Sequence, residues 1–276
     1  METDANREYK SSVFTSLFGE KDNLLELYNA IQNTNYGKDT EIKFTMLESV
    51  LYMERVNDIS FLIDGKVVVL IEHQSTINKN MPLRMLLYMS RIYEKITENE
   101  DLYRENKMTI PRPEFIVLYN GEKEYADKET LKLSEMFARH GKEYPIDLEL
   151  LVRVYNINKG HNPEIAEKSR TLDGYETFIA AVRDYEKTMN RDEAIKRAMD
   201  DCVKRDILKE FLKDKGSEVR NMLLTEWNWD DALRIREEEG RQQGIQQGIQ
   251  QGIQNLFKFL ESGHTLEEAK KKFTFA

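Results

Sequence analysis

The sequence predicts an α/β or α+β domain followed by a helical region and a repetitive tail. Three observations carry this reading. Apolar residues recur at helical spacing on both sides of a central block. In that block two extended runs flank Asp64-Gly65, and the second, Val67 to Ile71, is continuously apolar, as in strands covered on both faces. A further compact apolar run, Phe115 to Tyr119, follows a helix-length segment, so strands and helices are mixed along the chain.

Taken in order, Arg7 to Gln32 is predicted helical with a break near Gly19. Val13, Phe14, Leu17 and Phe18 recur at helical spacing, then Leu24, Leu25, Leu27, Tyr28 and Ile31, with Asp22 set to cap the second segment. Asn33 to Thr40 is a polar loop. Ile42 to Met46 and Val50 to Met53 make a first strand with a bend. Ile59, Phe61 and Ile63 alternate with Asp58, Ser60 and Leu62, and Asp-Gly between this run and the next is a hairpin signal. Asn80-Met81-Pro82 opens a helix running to about Glu98, with Pro82 near its first position. Met85, Met89, Ile92 and Ile96 form one stripe of that helix; Arg84, Tyr88, Arg91 and Lys95 form another.

Phe115 to Tyr119 is a strand ended by Asn120-Gly121. Tyr125 to Lys142 reads as loop with one short helical piece, and Leu148 to Tyr155 as a further strand. His161 and Asn162 precede Pro163 as a helix start, and the remainder is helical. Residues from Ala194 to Leu212 trace one apolar face, with Gly216 ending that helix. Gly-Ile-Gln-Gln then recurs between Arg241 and Gln254. A four-residue period drifts about 40° per repeat on an α-helix, so Ile245, Ile249 and Ile253 form a slowly winding stripe. Such a segment is either a helix that pairs to form an oligomer or a low-complexity linker. Leu256 to Leu260 and Thr265 to Phe273 are expected as short terminal helices.

The 276 residues include one cysteine, Cys202, so no internal disulfide is expected. With no apolar leader and no membrane-length apolar run, the expectation is a soluble cytoplasmic protein with no membrane partner. The net charge of −9 opposes tight, metal-free binding to DNA, since such binding draws on local Lys and Arg.

The chemistry-bearing residues cluster on the hairpin. Glu72 and Gln74 are two apart and share a strand face, and Asp58 lies on the neighbouring strand. Paired carboxylates repel unless a cation sits between them. Hard oxygen ligands on a rigid sheet suit Mg²⁺ or Mn²⁺. Such an ion can hold a phosphodiester and lower the pKa of an attacking water. The alternative is that these polar residues mark the exposed end of a hairpin. The register makes a demand here. A strict two-residue turn opposes Asp58 to Ile71, whereas a shared ion needs Asp58 beside Glu72, so a three-residue loop or a bulge is expected. Arg84, Tyr88 and Arg91 are candidate DNA-phosphate contacts at the rim of this site. The histidines show no metal-ligand spacing, and His73 alternates to the face opposite Glu72.

Asp58, Glu72 and Gln74 resemble the PD-(D/E)XK nuclease signature, with Gln74 at the usual Lys position. The phrases N-D-I-S-F-L-I-D, I-E-H-Q-S, N-M-P-L-R-M-L-L-Y-M-S-R-I-Y-E-K, L-Y-N-G and Y-N-I-N-K-G-H-N resemble the Rpn family of recombination-promoting nucleases and transposase-like proteins. The resemblance extends to about Tyr185. It implies an αβββαβ nuclease core over residues 1–165, followed by a helical region over 166–235 and a repeat tail over 236–276. It implies a Mg²⁺- or Mn²⁺-dependent DNA endonuclease, linked to recombination or transposition, in which Asp58 and Glu72 hold the metal and Gln74 joins them in catalysis. Glu20, Glu26 and Glu48 are candidates for an accessory carboxylate. The rival expectation is a catalytically weak nuclease fold that binds DNA or assembles through its tail.

Overall fold

The computed structural model describes residues 12–44, 58–73, 78–97, 102–103, 105–138 and 145–273. Its centre is the predicted hairpin. Strand β2, Asp58–Ile63, turns at Asp64-Gly65 into β3, Lys66–His73. Both turn residues have positive φ, 47° and 69°, as a two-residue hairpin loop of matching twist requires. The ladder pairs Ile63 with Lys66 and, at its far end, Asp58 with Ile71. The expected three-residue loop or bulge is therefore not present, because the local turn chemistry sets the register. The first expected strand is described only as β1, Lys43–Phe44, paired antiparallel with β2; the segment Val50 to Met53 lies outside the described residues.

The described strands form one mixed sheet in the order β1-β2-β3-β4-β6-β5. Strand β4, Arg112–Tyr119, runs parallel to β3, and β6, Leu151–Asn156, runs parallel to β4. A parallel neighbour needs a crossover, and helix α3, Met81–Ile96, lies in it with Pro82 at its start. Its residues Met81, Met85, Met89 and Ile92 pack on Val67, Val69, Phe115 and Val117. Val68 is also buried, on the other face, which accounts for the unbroken apolar run in β3. Each fully buried aliphatic side chain of this kind contributes about 1.5–3 kcal/mol. Strand β5, Lys128–Lys132, is antiparallel at the sheet edge, inside the segment expected to be loop.

The other face is covered from the N-terminal side by α1, Val13–Phe18, and α2, Lys21–Gln32. The expected break falls at Gly19, where a Cβ would stand 2.6 Å from the Thr15 carbonyl oxygen. Glu20, not Asp22, occupies the cap position of α2; Asp22 sits in the first turn. Tyr28 of α2 meets Phe61 of β2 edge-on at 5.7 Å. Phe14 and Phe18 pack on Tyr175 of α5, Arg170–Glu186, which follows the single turn α4, Pro163–Ala166.

Beyond α5 the apolar face from Ala194 to Leu212 is divided between α6, Arg191–Lys204, and α7, Lys209–Asp214. Asp206 and Leu208 between them have φ of 60° and 47°, a left-handed corner that no helix continues through. Gly216 starts rather than ends a helix: α8, Gly216–Glu261, runs through the repeats and the expected Leu256–Leu260 segment, and α9, Leu266–Lys272, follows. Each repeat glycine costs about 1 kcal/mol of helix propensity relative to alanine. The chain divides into two compact units, residues 1–224 and 225–276.

Glu176 of α5 is buried, and that burial pushes its carboxyl up from 4.5 to about 8. The native state therefore keeps a proton that the unfolded chain releases near its ordinary pKa. The sign follows: stability is greatest below about pH 4.5 for this group and is lost as pH rises towards 8. Glu176→Gln should remove that slope. In urea titrations the variant should gain on wild type, by on the order of a few kcal/mol, between mildly acidic and mildly alkaline buffer. Parallel pH dependences in the two proteins would sink this assignment.

Candidate functional site

The parallel strands end together. Glu72 is registered against Leu118, His73 against Tyr119, and Tyr119 against Asn156. Strand β2 runs antiparallel to β3, so its first residue, Asp58, lies at this same end. In open α/β sheets, ligands bind outside the carboxyl ends of the strands. The two carboxylate-bearing positions thus lie on adjacent strands at that end, at register positions that belong to opposite faces of the sheet. Successive positions of a strand alternate faces, and Asp58 is registered one residue short of Glu72, so the regular ladder does not itself pair them. Gln74 and Glu48 lie outside the described residues. Among the described residues no group of three or more His, Cys, Asp or Glu is arranged to hold a metal ion.

The proposed accessory carboxylates have other places. Glu26 accepts hydrogen bonds from the Ser169 hydroxyl and the Thr171 amide, both at 2.9 Å, and so secures the start of α5. Glu20 is exposed at the head of α2.

The rim residues on α3 separate. Arg84 is half-exposed; its guanidinium rests 3.4 Å from the Met81 sulfur and makes no ion pair among the described residues. Arg91 is half-exposed on the same helix. Tyr88 is 5 % exposed, and its hydroxyl donates to Ser60 Oγ at 2.9 Å inside the interface between α3 and β2. This is a correction: Tyr88 packs under the helix instead of standing at a rim. A buried aromatic with a polar tip finds a partner, and Ser60 supplies it.

Sequence reasoning missed the polar lock that closes the carboxyl end. Asn120 follows β4, Asn156 ends β6, and Asn158 and Asn162 lie just beyond. The Asn158 amide nitrogen donates to Asn156 Oδ1 at 2.9 Å and to the Gly121 carbonyl at 3.0 Å. Asn156 donates to the Tyr125 carbonyl and Asn162 to the Asn156 carbonyl, each at 2.9 Å. Arg183 of α5 binds this lock through Asn158 Oδ1 at 2.7 Å, Asn120 Oδ1 at 3.3 Å and the Asn120 carbonyl. Gly121 is required beside it, since a Cβ there would meet the Tyr119 ring at 2.6 Å. The phrases L-Y-N-G and Y-N-I-N-K-G-H-N were the signal. Asn156, Asn158 and Asn162 satisfy loop carbonyls, and Asn120 holds Arg183.

Because Tyr88 is a packing residue, Tyr88→Phe should lower stability by about 0.5–1.5 kcal/mol, measured as a denaturant midpoint shift, while leaving retention on a DNA column unchanged. A weakened retention with unchanged stability would return Tyr88 to the DNA surface.

Among the described residues no helix is long and apolar enough to cross a membrane. Searches among characterised proteins and among solved structures return no match. A family model described as "Putative transposase, YhgA-like" matches residues 53–190, half of the 276-residue chain and the span holding β2 through α5. The chain belongs to the YhgA-like transposase family, in agreement with the phrases that resemble the Rpn group.

Proposed function

We propose that the chain is a metal-dependent endonuclease acting on DNA in the cytoplasm, with a PD-(D/E)XK-type site. What supports this reading is that the Asp58 and Glu72 strand positions lie at the same carboxyl end of the sheet, within the span that matches the putative transposase family model. Asp58 and Glu72 would hold Mg²⁺ or Mn²⁺; their hard oxygen donors suit either ion. The ion would polarise a phosphodiester and lower the pKa of its bound water. Sharing one ion requires a one-residue shift between β2 and β3 at the last pair of the ladder, where Asp58 now faces Ile71. Gln74 would orient water or hold a phosphate oxygen. It can neither carry positive charge nor act as a base near neutral pH. Arg84 and Arg91 remain candidates for backbone phosphates, and with a net charge of −9 the metal and such local cations must carry the affinity.

A second reading is favoured by one observation. Ile245, Ile249 and Ile253 of α8 are 51 %, 59 % and 48 % exposed, and apart from the adjoining helix backbone no heavy atom of the described residues lies within 4 Å of a Cβ built on Gly244, Gly248 or Gly252. An uncovered apolar stripe of this length is an assembly surface. The chain would then act as an oligomer, whether or not it cleaves DNA.

Two measurements decide between these readings. Purified protein should nick supercoiled plasmid only when Mg²⁺ or Mn²⁺ is present, and Asp58→Ala should abolish nicking. Mn²⁺ should also raise the melting temperature of wild type and not of Asp58→Ala. The gain follows RT ln(1 + [L]/Kd), about 2.7 kcal/mol at a hundredfold excess and less for a weak site. Without metal, Asp58→Ala should melt no lower than wild type, as expected of a residue that serves the site and not the fold. Equal metal shifts in both proteins would place the ion elsewhere. Truncation after Gly240 should leave a folded core of lower oligomeric mass by light scattering; an unchanged protomer count would remove the assembly reading.

A further inference from the structure

We propose that Arg183 is the phosphate-binding cation of this site and supplies the positive charge that Gln74 lacks. The inference rests on the nuclease reading above and adds to it a residue from a different element. Asn120 directly follows Tyr119, which is registered against His73, so the guanidinium held on Asn120 stands at the carboxyl end beside the last residues of β3.

Its partners are the unusual feature. Arg183 donates to Asn158 Oδ1, Asn120 Oδ1 and the Asn120 carbonyl, all neutral oxygens. Among the described residues it makes no ion pair. Charges taken out of water are ordinarily paired; half-buried Arg183 has amide oxygens instead, in a chain with 50 acidic residues against 41 basic ones. Here three amide oxygens fix the guanidinium and leave its charge intact. A guanidinium has five N–H donors; three are occupied, and two remain for a bidentate pair with a phosphate. Asn120, which holds the guanidinium, is 1 % exposed, and among the described residues its Nδ2 has no acceptor. A rigid, partly desolvated cation also stabilises charge on a phosphodiester more strongly than a mobile surface lysine does.

The test uses the full chain and three proteins: wild type, Arg183→Gln and Arg183→Lys. A short DNA duplex is titrated by fluorescence anisotropy over a series of potassium salt concentrations, with Ca²⁺ replacing Mg²⁺ to prevent turnover. Arg183→Gln should weaken binding about tenfold and lower the slope of log K against log salt by about one. Arg183→Lys should keep the slope and lose several-fold in affinity, because the charge stays and the fork is gone. A bracing role would not change the salt slope. In parallel, inorganic phosphate should raise the melting temperature of wild type more than that of Arg183→Gln, a readout independent of cleavage.

A folded Arg183→Gln with wild-type affinity, slope and phosphate response overturns the inference while leaving nicking by wild type, and so the nuclease reading, intact. If Arg183→Gln does not fold, Arg183→Lys with undiminished affinity overturns it equally. A wild type that neither binds nor nicks DNA overturns the nuclease reading and this extension with it.

Discussion

Two left-handed residues, Asp64 and Gly65, set the arrangement on which the rest of the sheet depends. Their tight turn fixes which residues of β2 and β3 oppose one another, and with a period of two that choice decides the face of every side chain along both strands. The turn is itself held from outside. Tyr36 donates to Asp64 Oδ2 at 3.0 Å, and Lys66, next to the turn, lies 3.3 Å from the Tyr36 hydroxyl and 3.4 Å from that of Tyr28. Glu114 at the start of β4 accepts from Tyr28 at 2.8 Å and stands within ion-pair distance of Lys66, Arg112 and Arg153. Burial beside this carboxylate pushes the Tyr28 hydroxyl's pKa well up, so Tyr28 stays neutral and remains a donor. Removing Glu114 would leave the largely buried Lys66 without its carboxylate, a larger loss than the net worth of the pair.

The sheet thus has two ends with different work. The turn end holds a self-satisfied charge cluster and fixes register. The carboxyl end holds asparagines, an arginine with no ion pair among the described residues and the strand positions of two acidic residues. At the carboxyl end the asparagines and Arg183 hold one another and the loop carbonyls in place.

Most of the α/β architecture was legible because it follows from period and turn chemistry. The Asp-Gly hairpin, the Pro82 helix start and the apolar β4 all announce themselves locally. Strand β5 did not, because K-E-T-L-K at a sheet edge has one buried apolar residue, Leu131, and edge strands need no more. The corner between α6 and α7 was hidden because apolar spacing says nothing about φ, and Leu208 satisfies the helical pattern while leaving the helix. In the site, Asp58 and Glu72 stood out as carboxylates on a strong strand pattern. Tyr88 was misread because a stripe of Arg, Tyr and Lys looks solvated until Ser60 appears beneath it. Arg183 was invisible because its significance lies in Asn120, 63 residues away in the chain. On its own helix it is one more charge.

The four-residue unit of α8 has a consequence for how this protein can change over generations. A Gly-Ile-Gln-Gln unit corresponds to twelve nucleotides, so gain or loss of one whole unit keeps the reading frame. Each event lengthens or shortens the helix by about 6 Å and turns everything beyond it by about 40°. Neither change breaks the backbone hydrogen-bond ladder. The tail is therefore an adjustable spacer: the reach and bearing of residues 255–273 can be reset in discrete steps, while residues 58–190, which carry the sheet and its polar end, are untouched.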